Sequence, residues 1–165
     1  MYYESRQFPF VASLEEHYAA IRAEFSRLGP SDLMPWPERG LYGSGWTVFG
    51  LHAFGQRIAM NCARCPVTSR LVEQVPGLKS AGFSALAPGT RIAPHEGYSR
   101  AVLRCHLGLL VPARCALRVG TEERRWEEGR CLVFDDTVEH EAWNLSDRMR
   151  VVLLLDFQRP ARARE

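Results

Sequence analysis

Pro94-His95-Glu96-Gly97, Arg104-Cys105-His106-Leu107-Gly108-Leu109, and Glu139-His140-Glu141 with Arg150 after it are the pieces whose reading decides the fold. Side chains alternate faces along a β-strand, so positions two apart look the same way. From Arg100 onward the even positions collect Arg100, Val102, Arg104 and His106, whereas Leu103, Cys105, Leu107 and Leu109 make an apolar face. The stretch 149–157 repeats the pattern, with Arg150, Val152, Leu154 and Asp156 on one side and Val151, Leu153 and Leu155 on the other. In 81–87, Ser84 and Leu86 share a face.

Working outward, eight short strands follow one another at 81–87, 90–93, 101–111, 115–119, 123–126, 131–134, 138–144 and 149–157. Pro88-Gly89, Pro112-Ala113, Glu128-Gly129 and Ser146-Asp147 supply turns between them. Many short strands at regular spacing predict a mainly β double-sheet jelly roll, or cupin-like barrel, rather than βαβ units. Upstream, Leu14, Tyr18, Ile21, Phe25 and Leu28 form a helical stripe over 14–28, with Ser13 and Glu16 as a capping box and Gly29-Pro30 as the stop. His17 on that helix reads as solvated. Residues 30–45 read as loop, 46–54 as a strand in which His52 is packed, and 68–75 as a second short helix. The expectation is one domain over 1–165, with an N-terminal helical and loop region over 1–78, its helices packed on one sheet, and a β core over 79–158.

Composition narrows the function. Apolar residues are 46% and charged residues 24% of the chain, an ordinary globular balance. The net charge is 21 − 19 = +2, and some of that excess, Arg159, Arg162 and Arg164, sits in a terminus expected to fray. Without a basic face interleaved with aromatics, nucleic acid is not an expected partner. No apolar run has the length of a membrane span and no signal-peptide pattern opens the chain, so no membrane anchor is expected. Five unevenly spaced cysteines fit reduced thiols in a cytoplasmic protein. Cys62-Ala63-Arg64-Cys65 is a lone CxxC without a second pair, so zinc is not expected there and the cysteines read as small apolar residues.

If the polar-bearing strand faces line the barrel interior, the cavity holds Ser84, Arg104, His106 and Arg150. Buried cations need partners, few acids lie on these strands, and an anionic ligand is then implied, because arginine suits a carboxylate. Strand alternation alone equally allows Arg104 and Arg150 to sit on an exposed sheet face. His95 and His140 come from opposite ends of the β region, as metal-binding imidazoles of jelly rolls do. A non-haem iron(II) site usually adds an acid two residues after the first histidine. That position is Gly97, and Glu96 points away on an extended segment, so the spacing reads as two histidines with water. Asp135-Asp136 either orients His140 or forms a strand-end turn.

Trp46-Thr47-Val48-Phe49-Gly50-Leu51, Pro94-His95-Glu96-Gly97, the segment 103–109, Trp126-Glu127-Glu128-Gly129 and the segment 134–143 together resemble the aspartyl/asparaginyl β-hydroxylase family, over about 9–160. The resemblance implies a double-stranded β-helix that uses iron(II), 2-oxoglutarate and O2, with a glycine at the acid position in its peptide-hydroxylating members. It implies His95 and His140 as iron ligands, Arg150 and Ser84 at the distal carboxylate of 2-oxoglutarate, and Arg104 and His106 near the other carboxylate. Members that act on aspartate carry a further arginine where this chain has Val102; Arg100 is the stand-in. The implied reaction is hydroxylation of an unactivated C–H, foremost the β-carbon of Asp or Asn in a peptide, alternatively a lipid acyl chain or free amino acid. The reading outside the enzymes is a cupin-like module that binds a small acid.

Overall fold

Strand alternation is obeyed along 102–110 and 150–158 of the computed structural model, which describes residues 1–97 and 99–161; Arg162 and Arg164 lie outside the described residues. In chain order the elements are β1 (Tyr2–Tyr3), α1 (Pro9–Glu16), α2 (Tyr18–Ser26), β2 (Met34–Pro35), β3 (Trp46–Ala53), β4 (Gln56–Arg57), α3 (Ala59–Arg64) and α4 (Pro66–Glu73). Then come β5 (Leu78–Leu86), β6 (Arg91–His95), β7 (Val102–Leu110), β8 (Cys115–Val119), β9 (Glu122–Arg124), β10 (Cys131–Phe134), β11 (His140–Asn144) and β12 (Arg150–Gln158). The large sheet runs β1-β10-β7-β12-β5-β3-β2, with β4 beside β3, and the small sheet runs β6-β11-β8-β9. Mainly antiparallel strands in two facing sheets make the expected jelly roll. Strands from the first 57 residues join the large sheet, so the N-terminal region is not solely helix and loop.

One face of the large sheet packs under the helices. Leu103, Cys105, Leu107, Leu109, Val151, Leu153, Leu155 and Phe83 are all fully buried there with Ile21 and Phe25. The rings of Phe25 and Phe83 lie 5.3 Å apart, which ties α2 to β5. The other face meets the small sheet, where Leu86, Val152 and Phe134 pack with Ile92, Leu117, Val119 and Ala142. All five cysteines are buried free thiols.

Several local expectations are corrected. The 14–28 stripe is two helices that meet at His17, whose φ of −98° and ψ of 14° leave the helical range. The first begins at Pro9, a residue suited to a first turn because its missing N–H would be unpaired anyway. Ser13 therefore lies inside a helix, and its carbonyl accepts from His17 N at 3.2 Å rather than its hydroxyl capping a start. His17 Nδ1 also sits 2.8 Å from that carbonyl, so the ring is a half-buried member of the junction and not merely solvated. The second helical region also starts earlier, at α3, and α4 opens with Pro66. Its first amides are capped from another helix: Glu24 Oε2 accepts from Val67 N (3.0 Å) and Oε1 from Thr68 N (2.7 Å). Such a long-range cap leaves no local sequence signature. Arg159 does not fray. Its guanidinium donates to Asp135 Oδ2 and Tyr3 Oη, each at 2.6 Å.

Among the described residues, no helix is long and apolar enough to cross a membrane.

Candidate active site

Between the sheets lies a cavity lined by Ser84, His95, Arg104, His106, His140 and Arg150, with Trp46, Ile92, Leu117, Phe134, Ala142 and Leu154 as apolar wall. The alternation left open whether the arginines face inward or outward; they face inward.

The two histidines meet because β6 and β11 pair with His140 directly opposite His95. Their ring centroids are 4.3 Å apart. Each ring is held by its own chain: His95 Nδ1 is 2.8 Å from Ala93 O, and His140 Nδ1 is 2.9 Å from Val138 O. A ring nitrogen against a carbonyl must carry the proton, so in both rings Nε2 keeps its lone pair. Burial, with His95 and Arg104 nearby, lowers the His140 pKa to about 4, which keeps the ring neutral. Two imidazoles that each turn Nδ1 to a backbone carbonyl and leave Nε2 toward the cavity can hold a divalent metal.

Gly97 follows this pair at the position where an acid might stand, and the acid in that space comes from elsewhere. Gly97 N donates to Asp136 O at 2.7 Å, and a Cβ added at Gly97 would lie 2.6 Å from Asp136 Cγ. Any side chain at 97 would displace that carboxylate. Burial raises the Asp136 pKa, and its Oδ1 is enclosed without a hydrogen-bond partner. Of the two roles open for Asp135-Asp136, orienting His140 is not seen, since Val138 O does that. Asp135 Oδ1 instead accepts from Thr137 N and Oγ1, which builds the turn before β11.

At the other end, Arg150 is 2% exposed, and its Nη2 donates to Ser84 O (3.1 Å) and Oγ (3.3 Å). Its Nε has no partner and its guanidinium lies 4.5 Å from the centre of the Trp126 ring. Burial pushes its pKa down to about 9, opposed only in smaller part by the nearby Cys115 thiol, and among the described residues no carboxylate pairs with it. Trp46 Nε1 donates to Ser84 Oγ at 2.9 Å, so the Ser84 oxygen accepts on one side and its own proton is available to a ligand. His106 is buried, and burial first, then Arg150 and Arg104, hold its pKa well below the usual histidine value. Trp126 Nε1 donates to its Nδ1 at 3.1 Å, so the proton sits on Nε2, which has no acceptor. Two enclosed N–H groups without acceptors beside an unpaired buried cation form a donor set for a carboxylate.

Arg104 differs from Arg150. The strands were expected to supply few internal acids, yet Asp156 stands opposite Arg104 in the β7–β12 register. It accepts from Arg104 Nε at 2.7 Å and from Nη2 at 2.9 Å. Asp136 Oδ2 lies a further 3.7 Å from Nη2. Arg100 sits in an exposed turn ahead of β7, so alternation does not extend to it, and Val102 opens the strand half-buried. Neither lines the cavity. Trp46, Trp126 and Asp156 were not singled out as site residues, although Trp46 and Trp126 fall in the motif stretches and Asp156 shares the Arg150 face; Asp136 was singled out, but as a group to orient His140 rather than as a neighbour of Arg104 and Gly97.

The aspartyl/asparaginyl β-hydroxylase family model matches residues 15–160. The ornithine lipid ester-linked acyl 2-hydroxylase of Rhizobium tropici is 39% identical over 98% of this chain and 61% of its own length. The aspartyl/asparaginyl β-hydroxylase of Homo sapiens is 34% identical over 91% of this chain and 21% of its own. The chain thus spans less than two thirds of these relatives. Among solved structures, a Pseudomonas putida prolyl-4-hydroxylase superposes with a TM-score of 0.58 at 20% identity, over 90% of this chain and 88% of that one. A predicted oxalate decarboxylase of Thermotoga maritima gives 0.53 at 13% identity, over 80% and 98%. Both are similar in fold.

Proposed function

The chain belongs to the aspartyl/asparaginyl β-hydroxylase family, and on that premise we propose that it is an iron(II)- and 2-oxoglutarate-dependent dioxygenase that hydroxylates an unactivated C–H bond. The observation that carries this reading is a single cavity with two free imidazole nitrogens at one end and an unpaired buried arginine at the other. His95 and His140 would hold the iron through Nε2. Iron, 2-oxoglutarate and O2 supply the oxidising power, and succinate and CO2 are the co-products.

The protein places and shields. Arg150 presents its planar fork, and Ser84 its hydroxyl, to the distal carboxylate of 2-oxoglutarate. His106 donates from Nε2 toward the carboxylate nearer the iron. Arg104, clamped by Asp156, adds positive charge on that side without leaving its partner. Trp126 fixes both reagents of the donor set, through its hydrogen bond to His106 and its face against Arg150. The apolar wall keeps bulk water from the reacting atoms.

For the substrate we favour an acyl chain over an aspartyl side chain. The acyl hydroxylase relative is matched over nearly the whole chain, Arg104 is already bound to Asp156, and the rim has Val102 in place of an arginine. The Asp/Asn-peptide reading stays second, on the family model and the human relative.

The experiment is succinate formation with 2-oxoglutarate in wild type, Arg150→Ala and Arg150→Lys, offered acyl-lipid and Asp/Asn-peptide substrates in turn. Charged hydrogen bonds of about 1.5–3 kcal/mol each place the rise in 2-oxoglutarate KM for Arg150→Ala at about tenfold or more. Arg150→Lys, with charge but no fork, should recover some of it. An unchanged KM removes Arg150 as the anchor, and no succinate with any substrate returns the protein to a small-acid binding module. A product heavier by one oxygen, from one substrate class only, decides the substrate.

A further inference from the structure

Away from the cavity, on the helical side of the large sheet, a second histidine stands beside a cysteine and a carboxylate. His52 on β3, Cys62 on α3 and Glu73 on α4 bring a ring nitrogen, a sulfur and a carboxylate oxygen within 4.8 Å of one another. His52 Nε2 is 3.4 Å from Glu73 Oε1. That nitrogen is enclosed and has no hydrogen-bond partner. Cys62 is 1% exposed, and Glu73 lies at the surface edge. A buried ring nitrogen whose neighbouring carboxylate is too poorly aligned for a full hydrogen bond is poorly satisfied, and a cation between the two would satisfy both.

We propose that His52, Cys62 and Glu73 form a site for a divalent zinc-type cation, separate from the catalytic cavity, that fastens α3 and α4 to the large sheet. Nitrogen, thiolate and carboxylate are the donor classes zinc takes, and the borderline-soft set disfavours magnesium and calcium. Donors around a tetrahedral zinc stand about 3.5 Å apart given metal–ligand bonds near 2.0–2.3 Å. The His52–Glu73 separation, 3.4 Å, is already of that size, and the separations to Cys62, within 4.8 Å, would shorten on binding. Charge also balances: a neutral imidazole, a thiolate and a carboxylate cancel a 2+ ion, so the buried site carries no net charge. Water from the open Glu73 side can take the fourth position.

Binding has two local costs. The Cys62 thiol donates to Leu51 O at 3.3 Å, and its proton must leave to solvent before sulfur ligates. Arg57 Nε at 2.8 Å and Ser69 Oγ at 3.1 Å both donate to Glu73 Oε1 and compete with the metal for that oxygen. Cys65 does not belong to the set: the donor atoms that converge exclude it, and burial raises its thiol pKa to about 11. The lone CxxC is therefore half used. The other two ligands come from an earlier strand and a later helix that no cysteine spacing could indicate.

The test is cobalt(II) alone, titrated into the metal-free full chain and read by the near-ultraviolet thiolate-to-cobalt charge-transfer band. The band should appear in wild type and persist in the His95→Ala/His140→Ala variant, because the catalytic pair has no thiolate. Cys62→Ser should abolish it. His52→Ala and Glu73→Gln should weaken cobalt affinity at least as much as the roughly 10–100-fold loss seen on removing a supporting residue of a metal site. Arg57→Ala should strengthen it. No band in wild type, or a band that survives Cys62→Ser, overturns the proposal. Should Cys62→Ser fail to fold by circular dichroism, unchanged affinity in folded His52→Ala or Glu73→Gln overturns it equally. Failure here leaves the dioxygenase reading untouched, since succinate formation is not the readout.

Discussion

The two sheets divide the labour unequally. The large sheet is buried on both faces at its centre, where β7, β12 and β5 carry His106, Arg150 and Ser84. The small sheet is packed on one face only. Glu141 and Trp143 on β11 and Arg118 on β8 look outward, β9 is exposed along its length, and His140 looks in. The imidazoles proposed to hold metal belong to the small sheet and are held by their own backbone carbonyls. The groups proposed to hold a carboxylate belong to the large sheet and have long-range contacts to Trp46 and Trp126. A side chain placed by its neighbours in sequence can stand at an open rim, whereas a buried cation needs a rigid floor around it.

The strongest way to break this contrast is at the rim. Removing a ligand there should destroy function and spare the fold: His95→Ala or His140→Ala should lose all measurable turnover and iron, with a near-wild-type urea midpoint. Glu96→Ala should keep its iron. If Glu96→Ala loses iron as fully as the histidine variants, the two-histidine site is wrong.

The opposite behaviour belongs to the floor. Phe25→Ala empties a ring packed on Phe83 and should cost about 3–5 kcal/mol in urea unfolding. A change near zero would show that α2 does not support β5. Next is Asp156→Asn, which leaves Arg104 nearly buried without its counter-charge. Breaking such a pair should cost about 3 kcal/mol, less whatever Asp136 makes good. Equal stability to wild type would mean that Asp136 alone suffices.

The smallest effect is on the outer face of the small sheet. Arg118 pairs there with Glu141 at 3.2 Å and Glu139 at 3.1 Å, both partly in water. Arg118→Ala should change stability by only about 0–1 kcal/mol. A loss as large as that of Asp156→Asn would erase the distinction between a rigid floor and a solvated rim.

How much of this was legible depends on the range of the signal. Period-two alternation is a property of a few consecutive residues, and it grouped Arg104 with His106 on one face of β7 but left open whether that face lines the cavity or meets solvent. The helical stripe gave the buried set Leu14, Ile21 and Phe25 but not the break at His17, because a break that keeps both halves amphipathic leaves the apolar spacing intact. Arg100 was misplaced because alternation was extended past the residue at which the strand begins.

By itself the sequence determined the jelly roll, the family, and the faces on which the charged and imidazole groups stand, since all of these rest on local periodicity and short motifs. Only the tertiary structure decided who those groups meet. Arg104 and Asp156 are 52 residues apart and face one another because β7 lies beside β12 in the sheet. The Asp136 carboxylate fills the space beside Gly97 because a turn from the far end of the β region folds over it. His52, Cys62 and Glu73 converge because two helices pack back onto β3. Partners of this kind follow from strand order and helix docking, which the whole chain settles together.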